Sequence, residues 1–167
     1  VAGTAVSDVA NESVALVEGG NGLFWIVESG TAPEPNALRL LVEELLQSNA
    51  GVVGPKLVDL TDQSRVQSVG ISVDLLGERA EPFNLDEVDQ EQHDRVRDVL
   101  AVEMSGMLVR ADLFHQLGGF TSPLSEGVAE IDLCWRAHYA GARVVVVPDA
   151  VVGRRRALIN ETIERRQ

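Results

Sequence analysis

The stretch Leu100-Ala-Val-Glu-Met-Ser-Gly-Met-Leu-Val-Arg110, carried on through Leu117-Gly118-Gly119-Phe120, Glu130-Ile-Asp-Leu-Cys-Trp-Arg-Ala137 and Gly141-Ala-Arg-Val-Val-Val-Val-Pro-Asp-Ala-Val-Val152, decides the fold. Residues 99–109 are dominated by apolar side chains, and Val144–Val147 is unbroken, as in strands buried on both faces. Between them, Ala111–Leu117 reads as a short helix. Gly118-Gly119 stops it, because glycine takes the left-handed cap conformation without a Cβ clash. A second helix, Glu130–Tyr139, ends at Gly141. Strands alternating with helices predict the α/β class with a mostly parallel sheet.

Upstream, the pattern extends the same plan. Val6, Val9, Ala10, Val14 and Val17 recur at near-helical spacing within residues 4–17. Gly19-Gly20-Asn21-Gly22 is a turn cluster, and Leu23–Val27 reads as a buried parallel strand. After Pro33-Glu34-Pro35, Asn36 is placed to cap a helix to about Gln47, with Leu38, Leu41, Val42, Leu45 and Leu46 inward. Residues 51–54 predict a short buried strand stopped by Pro55. From Lys56 to Leu76, Val66, Val69, Ile71 and Val73 alternate with polar residues, as in strands with one wet face. Residues 77–98 are polar and acidic, an excursion over the sheet edge with a short helix near 86–92. The tail after Arg154 is charged. No repeat or linker appears, so the 167 residues predict one domain, large enough for a sizeable core.

A net charge of −12 argues against a general nucleic-acid or anionic-membrane surface; Arg154-Arg155-Arg156 is the local exception. One cysteine, Cys134, excludes an internal disulfide and suits a reducing compartment. No apolar run reaches the roughly 18–20 residues that cross a bilayer, and no signal peptide opens the chain. Its start at Val1 rather than Met reads as that of a fragment.

From Leu23 to Val152, and most closely from Val99, the sequence resembles the acceptor-side half of family 2 glycosyltransferases, which have the GT-A fold. Residues 89–94 add a likeness to actinobacterial members. The resemblance implies sugar transfer from a nucleotide-diphosphate sugar to a cell-envelope glycan or lipid. It also implies a cytoplasmic location, at the inner face of the membrane where a tether or membrane partner is present. A divalent ion, Mg²⁺ or Mn²⁺, bridges the diphosphate in such enzymes. The family's first, nucleotide-binding strands find no counterpart in residues 1–22.

Carried over residue by residue, the family pattern breaks at the metal. Its paired acids fall on Glu28-Ser29-Gly30, leaving Glu28 as the one metal candidate; a Glu28 that merely ends a strand is the plain alternative. Its histidine falls among Gly153-Arg154-Arg155-Arg156, and a guanidinium cannot ligate a metal but can grip a diphosphate. Its acid after the Gly-Gly-Phe turn is Thr121. The acceptor base falls on Glu130, with Asp132 a second catalytic candidate; helix-dipole acids are the alternative. Ser105-Gly106 matches a small-residue turn beside substrate, and close packing explains it equally. Arg154 and Arg155 are substrate-side candidates. So is Trp135, although Cys134 and Trp135 read first as core. His93 and His115 lack any partner at ligand spacing and read as structural or surface. A catalytically silent, scaffolding domain is the alternative function, since a fold outlives its site.

Overall fold

The computed structural model describes residues 6–17, 21–73, 79–80, 95–125 and 127–155. In chain order these form α1 (Val6–Ala15), β1 (Leu23–Trp25), β2 (Thr31–Pro33), α2 (Ala37–Ser48), β3 (Val52–Asp59), β4 (Val66–Ser68), β5 (Ser72–Val73), β6 (Arg79–Ala80), β7 (Arg97–Asp98), β8 (Leu108–Arg110), α3 (Ala111–Leu117), α4 (Ala129–Tyr139) and β9 (Val144–Arg154). The helix expected near 86–92, His93 and the tail from Arg156 lie outside the described residues.

The main sheet runs β1-β8-β3-β9-β2, with β4 added to β3 and β7 to β9; β5 and β6 form a separate hairpin. Among the described strands only β3 and β9 are parallel. The expected mostly parallel sheet is therefore a mixed one. Alternation of strands and helices fixes the class, but it does not tell whether a two- or three-residue strand enters from the near or far end. Leu23–Trp25 shows the error: it is antiparallel to β8, at the end of the sheet, and only half-buried.

Neighbouring residues of the central strands serve two cores. Val52, Val109 and Val144 join Leu113, Phe114, Leu133 and Met104 on the face covered by α3 and α4. Val53, Leu108 and Val145 join Ala37, Leu41 and Leu45 of α2 on the other. A strand covered on both faces can spare no polar position, which is why these segments read as unbroken apolar runs. In α2 the inward stripe is Ala37, Leu41 and Leu45, spaced by one helical turn, whereas Leu38 and Leu46 are exposed. Asn36 occupies the cap position without a side-chain hydrogen bond. Helix α3 matches expectation, with Gly118 left-handed at φ +76°.

Three other expectations fail for local reasons. Residues 101–109 are buried throughout, but only Leu108–Arg110 is strand; the turn at Ser105-Gly106 breaks the rest. Residues 66–71 are buried apart from the half-buried Gln67, so the outer face of β4 is only partly wet. Pro55 does not stop β3 either. The register jumps from Pro55↔Val147 to Lys56↔Val151, skipping Pro148, Asp149 and Ala150. Both prolines stand at this irregularity, where the missing N–H costs no ladder bond.

Gly54 is dictated by the side chain of Val102 packed against it. A Cβ there would lie 2.4 Å from the Cβ of Val102, a stiff branched side chain. Gly54→Ala should lower the free energy of unfolding by about 1–3 kcal/mol, read from urea denaturation. A midpoint equal to wild type would show that Val102 moves aside freely.

Candidate functional site

Three segments meet at the C-terminal end of β9. Beyond β1 the chain turns at Glu28-Ser29-Gly30, where Gly30 has φ +87° and Thr31 donates both its N–H and its hydroxyl to the Glu28 carbonyl. The next residues pair with β9, Thr31 opposite Arg154, and the Arg155 N–H reaches the Gly30 carbonyl at 3.2 Å. The turn before β8 closes the corner: the Gly106 N–H donates to Ile26 at 2.9 Å, and the Trp25 indole donates to the Gly106 carbonyl at 3.1 Å. Glu28, Ser105, Gly106, Arg154 and Arg155, scattered in sequence, are thus brought together.

Their partners revise what each can do. Ser105 is buried and gives its hydroxyl proton to the Glu28 carboxylate, so it fixes Glu28 rather than facing solvent. Gly106 has φ +105°, and a Cβ would press on Pro55 at 2.8 Å. Close packing accounts for its small size. Arg154 lies 3.5 Å from the carboxylate of buried Glu103 and donates its Nε–H to Gln67 at 3.0 Å. Arg155 is exposed, and its side chain makes no hydrogen bond or ion pair among the described residues.

The expected divalent ion does not fit this donor set. Mg²⁺ or Mn²⁺ needs about six oxygen ligands, several of them anionic or neutral oxygens from protein and substrate. Here Glu28 is engaged by Ser105 and Glu103 faces Arg154. Among the described residues no group of three His, Cys, Asp or Glu side chains could hold a metal.

Glu130 and Asp132 part company on α4. Glu130 is buried in the first turn and accepts the Gly127 N–H at 2.9 Å. Asp132 is held by Arg136 at 2.6 Å and by the Thr121 hydroxyl at 2.7 Å. Arg136 also donates to the carbonyls of Leu117 and Gly119. Asp132 thus ties the α3–α4 connection together, and its place as a catalytic candidate gives way to that role. Thr121 explains itself here: an acid in its place would face the Asp132 carboxylate.

Burial pushes the Asp132 carboxyl up, but Arg136 and Thr121 outweigh it and hold the group below its ordinary value of 3.8. A depressed folded-state pKa adds stability above the unfolded-state value, and that stability is lost as pH falls through the folded value. The stability advantage of wild type over Asp132→Asn should therefore be full at neutral pH and shrink below about pH 4. A difference constant from pH 7 to pH 2 would show that Asp132 is not paired.

Trp135 is neither core nor part of this corner. It is 59% exposed and lines a groove of about 610 Å³ with Asp98, Val99, Leu100, His138 and Tyr139. Asp98 pairs opposite Val145, at the other end of β9 from Arg154. Cys134 is core as expected, its thiol pushed up to about 12 by burial. His115 is exposed, edge-on to Phe24.

Sequence reading missed Glu103, Gln67 and Lys56. Glu103 carried a signal, as the one charge in an apolar run that proved wholly buried; Lys56 likewise sits within the buried strand β3 and is 7% exposed. Gln67 carried none.

This two-faced mixed sheet with its flanking helices is the GT-A type of fold. The crystal structure of GalNAc-T7 with UDP, GalNAc and Mn²⁺ shares it, with a TM-score of 0.69 at 12% identity over 93% of this chain. It is one of 66 matching solved chains, so the likeness does not hang on a single structure. The chain spans 31% of the GalNAc-T7 structure's length. No curated protein matches in sequence. The sequence matches the family described as "Glycosyltransferase like family 2" over residues 5–166, and the chain belongs to that family.

Proposed function

We propose that this chain supplies the diphosphate corner and acceptor base of a transferase that moves a sugar from a nucleotide-diphosphate sugar to a hydroxyl of a cell-envelope glycan or lipid. The observation that carries the reading is the corner at the end of β9. There Arg154 and Arg155 stand against the 28–30 loop, and among the described residues the acids a metal would need are absent or engaged.

Glu130 takes the proton from the acceptor hydroxyl as its oxygen forms a bond to the sugar's anomeric carbon. The bond from that carbon to the diphosphate breaks, and its electron pair leaves with the phosphate. Arg154 and Arg155 offset the charge that develops there, through charge-assisted hydrogen bonds instead of a metal bridge. Glu28, locked by Ser105, shapes the loop beside them. The acceptor class and a place at the cytoplasmic face of the membrane, with a membrane-bound partner, follow from the family resemblance. No helix among the described residues is long and apolar enough to cross a membrane. The silent-scaffold alternative is not favoured, because the family match covers nearly the whole chain and no observation requires a scaffold.

The test is calorimetric titration of UDP and GDP into the full natural polypeptide, with Mn²⁺ and again with EDTA. Binding that ignores EDTA supports the arginine corner. Binding only with Mn²⁺ would overturn the metal-free part, and no binding in either buffer would overturn the donor assignment.

A further inference from the structure

Arg154 is held more tightly than a strand-end arginine needs to be. The Gln67 amide grips it twice: its Oε1 accepts the Arg154 Nε–H at 3.0 Å, and its Nε2 donates to the Arg154 carbonyl at 3.1 Å. The amide itself has a fixed orientation, because Nε2 also reaches Asp59 Oδ2 at 3.4 Å. The other Asp59 oxygen is held in turn by the Thr61 hydroxyl and by the N–H groups of Thr61 and Asp62. Turning the amide over would set an NH₂ against the guanidinium and an oxygen against a carbonyl and a carboxylate. Glu103 flanks Nη1 from the opposite side. β4, the 59–62 turn and the segment before β8 thus converge on one arginine.

We infer that Gln67 is a positioning residue that aims the Arg154 guanidinium at the donor diphosphate without neutralising it. The inference rests on the donor reading above. A neutral amide suits the task where a carboxylate does not: a second acid beside Arg154, besides Glu103, would cancel the charge the leaving group needs. Fixing the side chain in advance spares the ordering cost that a free arginine meets on binding an anion. It leaves the guanidinium in a set direction.

The experiment is UDP titration in EDTA on the full polypeptide with Gln67→Ala, Gln67→Glu, Arg154→Ala and the Gln67→Ala/Arg154→Ala pair. Exchange of the Arg154 Nε–H is followed by NMR in the first two variants. Gln67→Ala should speed that exchange and weaken UDP about tenfold. The same change should have no further effect once Arg154 is gone. Gln67→Glu sets a second oxygen against the Arg154 carbonyl and the Asp59 carboxylate and adds charge beside the arginine, so it too should bind UDP more weakly than wild type. A merely structural residue would act equally in both Arg154 backgrounds, and that result overturns the inference. Loss of binding through unfolding is separated by the denaturation midpoint of each variant. If wild type itself fails to bind UDP, the donor reading falls and takes this inference with it. Wild-type binding to which Gln67 is indifferent overturns the inference alone.

Discussion

Glu130→Gln is expected to cut turnover about 10²- to 10⁴-fold, the usual contribution of a positioned general base. It should leave stability within about 1 kcal/mol. The second half of this expectation has a different footing from that of a surface substitution, since Glu130 is only 4% exposed. What protects the fold is that glutamine retains an oxygen for the Gly127 N–H. The amide cannot accept the acceptor's proton. Initial rates with a saturating donor, beside a urea titration, separate the two effects. Undiminished turnover would make Glu130 a helix-cap acid and nothing more, while a large stability loss with proportionate activity loss would make its role structural.

Arg136→Ala should be the most destabilising single change in the α3–α4 connection, at about 2–4 kcal/mol. One guanidinium holds the Asp132 carboxylate and the carbonyls of Leu117 and Gly119. Truncation leaves a half-buried carboxylate and two carbonyls seeking water in a site packed against Phe114 and Phe120. Asn11 of α1 also bonds both backbone groups of Phe120, so the loosening should spread to α1. Lysine has three donors on one atom and cannot span the three acceptors, so Arg136→Lys should recover less than half of the loss. The readout is the urea midpoint at unchanged slope. A shift below 0.5 kcal/mol, about what a surface change costs, would show that the knot is ornamental.

The sequence made the two-faced strands, α3 with its glycine stop and the extent of α4 legible, because burial and cap chemistry write directly into residue type. Strand direction did not show: Leu23–Trp25 carries only its apolarity, and three residues look alike in either orientation. Apolarity also reported burial where it was read as strand, as at Ala101–Met107. In the site, Glu28, Arg154 and Arg155 were found by their places in a family pattern, and the structure brings them to one corner. The pairing of Asp132 could not be read from sequence, because its partner Thr121 lies across a turn and Arg136 a helical turn away. Gln67 was invisible for the same reason. Its meaning depends on Asp59 and Arg154, which reach it only through sheet pairing.

The three residues that β9 inserts between Val147 and Val151 set the phase of everything after them. Side chains alternate faces along a strand, so an odd insertion exchanges the faces downstream. Val147 and Val152 accordingly lie in the same core although an odd number of positions separates them. Pro148, Asp149 and Ala150 are not among the residues of the corner at the end of β9, yet their number decides which way Arg154 points. Deleting one of them would leave the first half of β9 in register and turn the arginine end over, removing the corner by arithmetic rather than by chemistry.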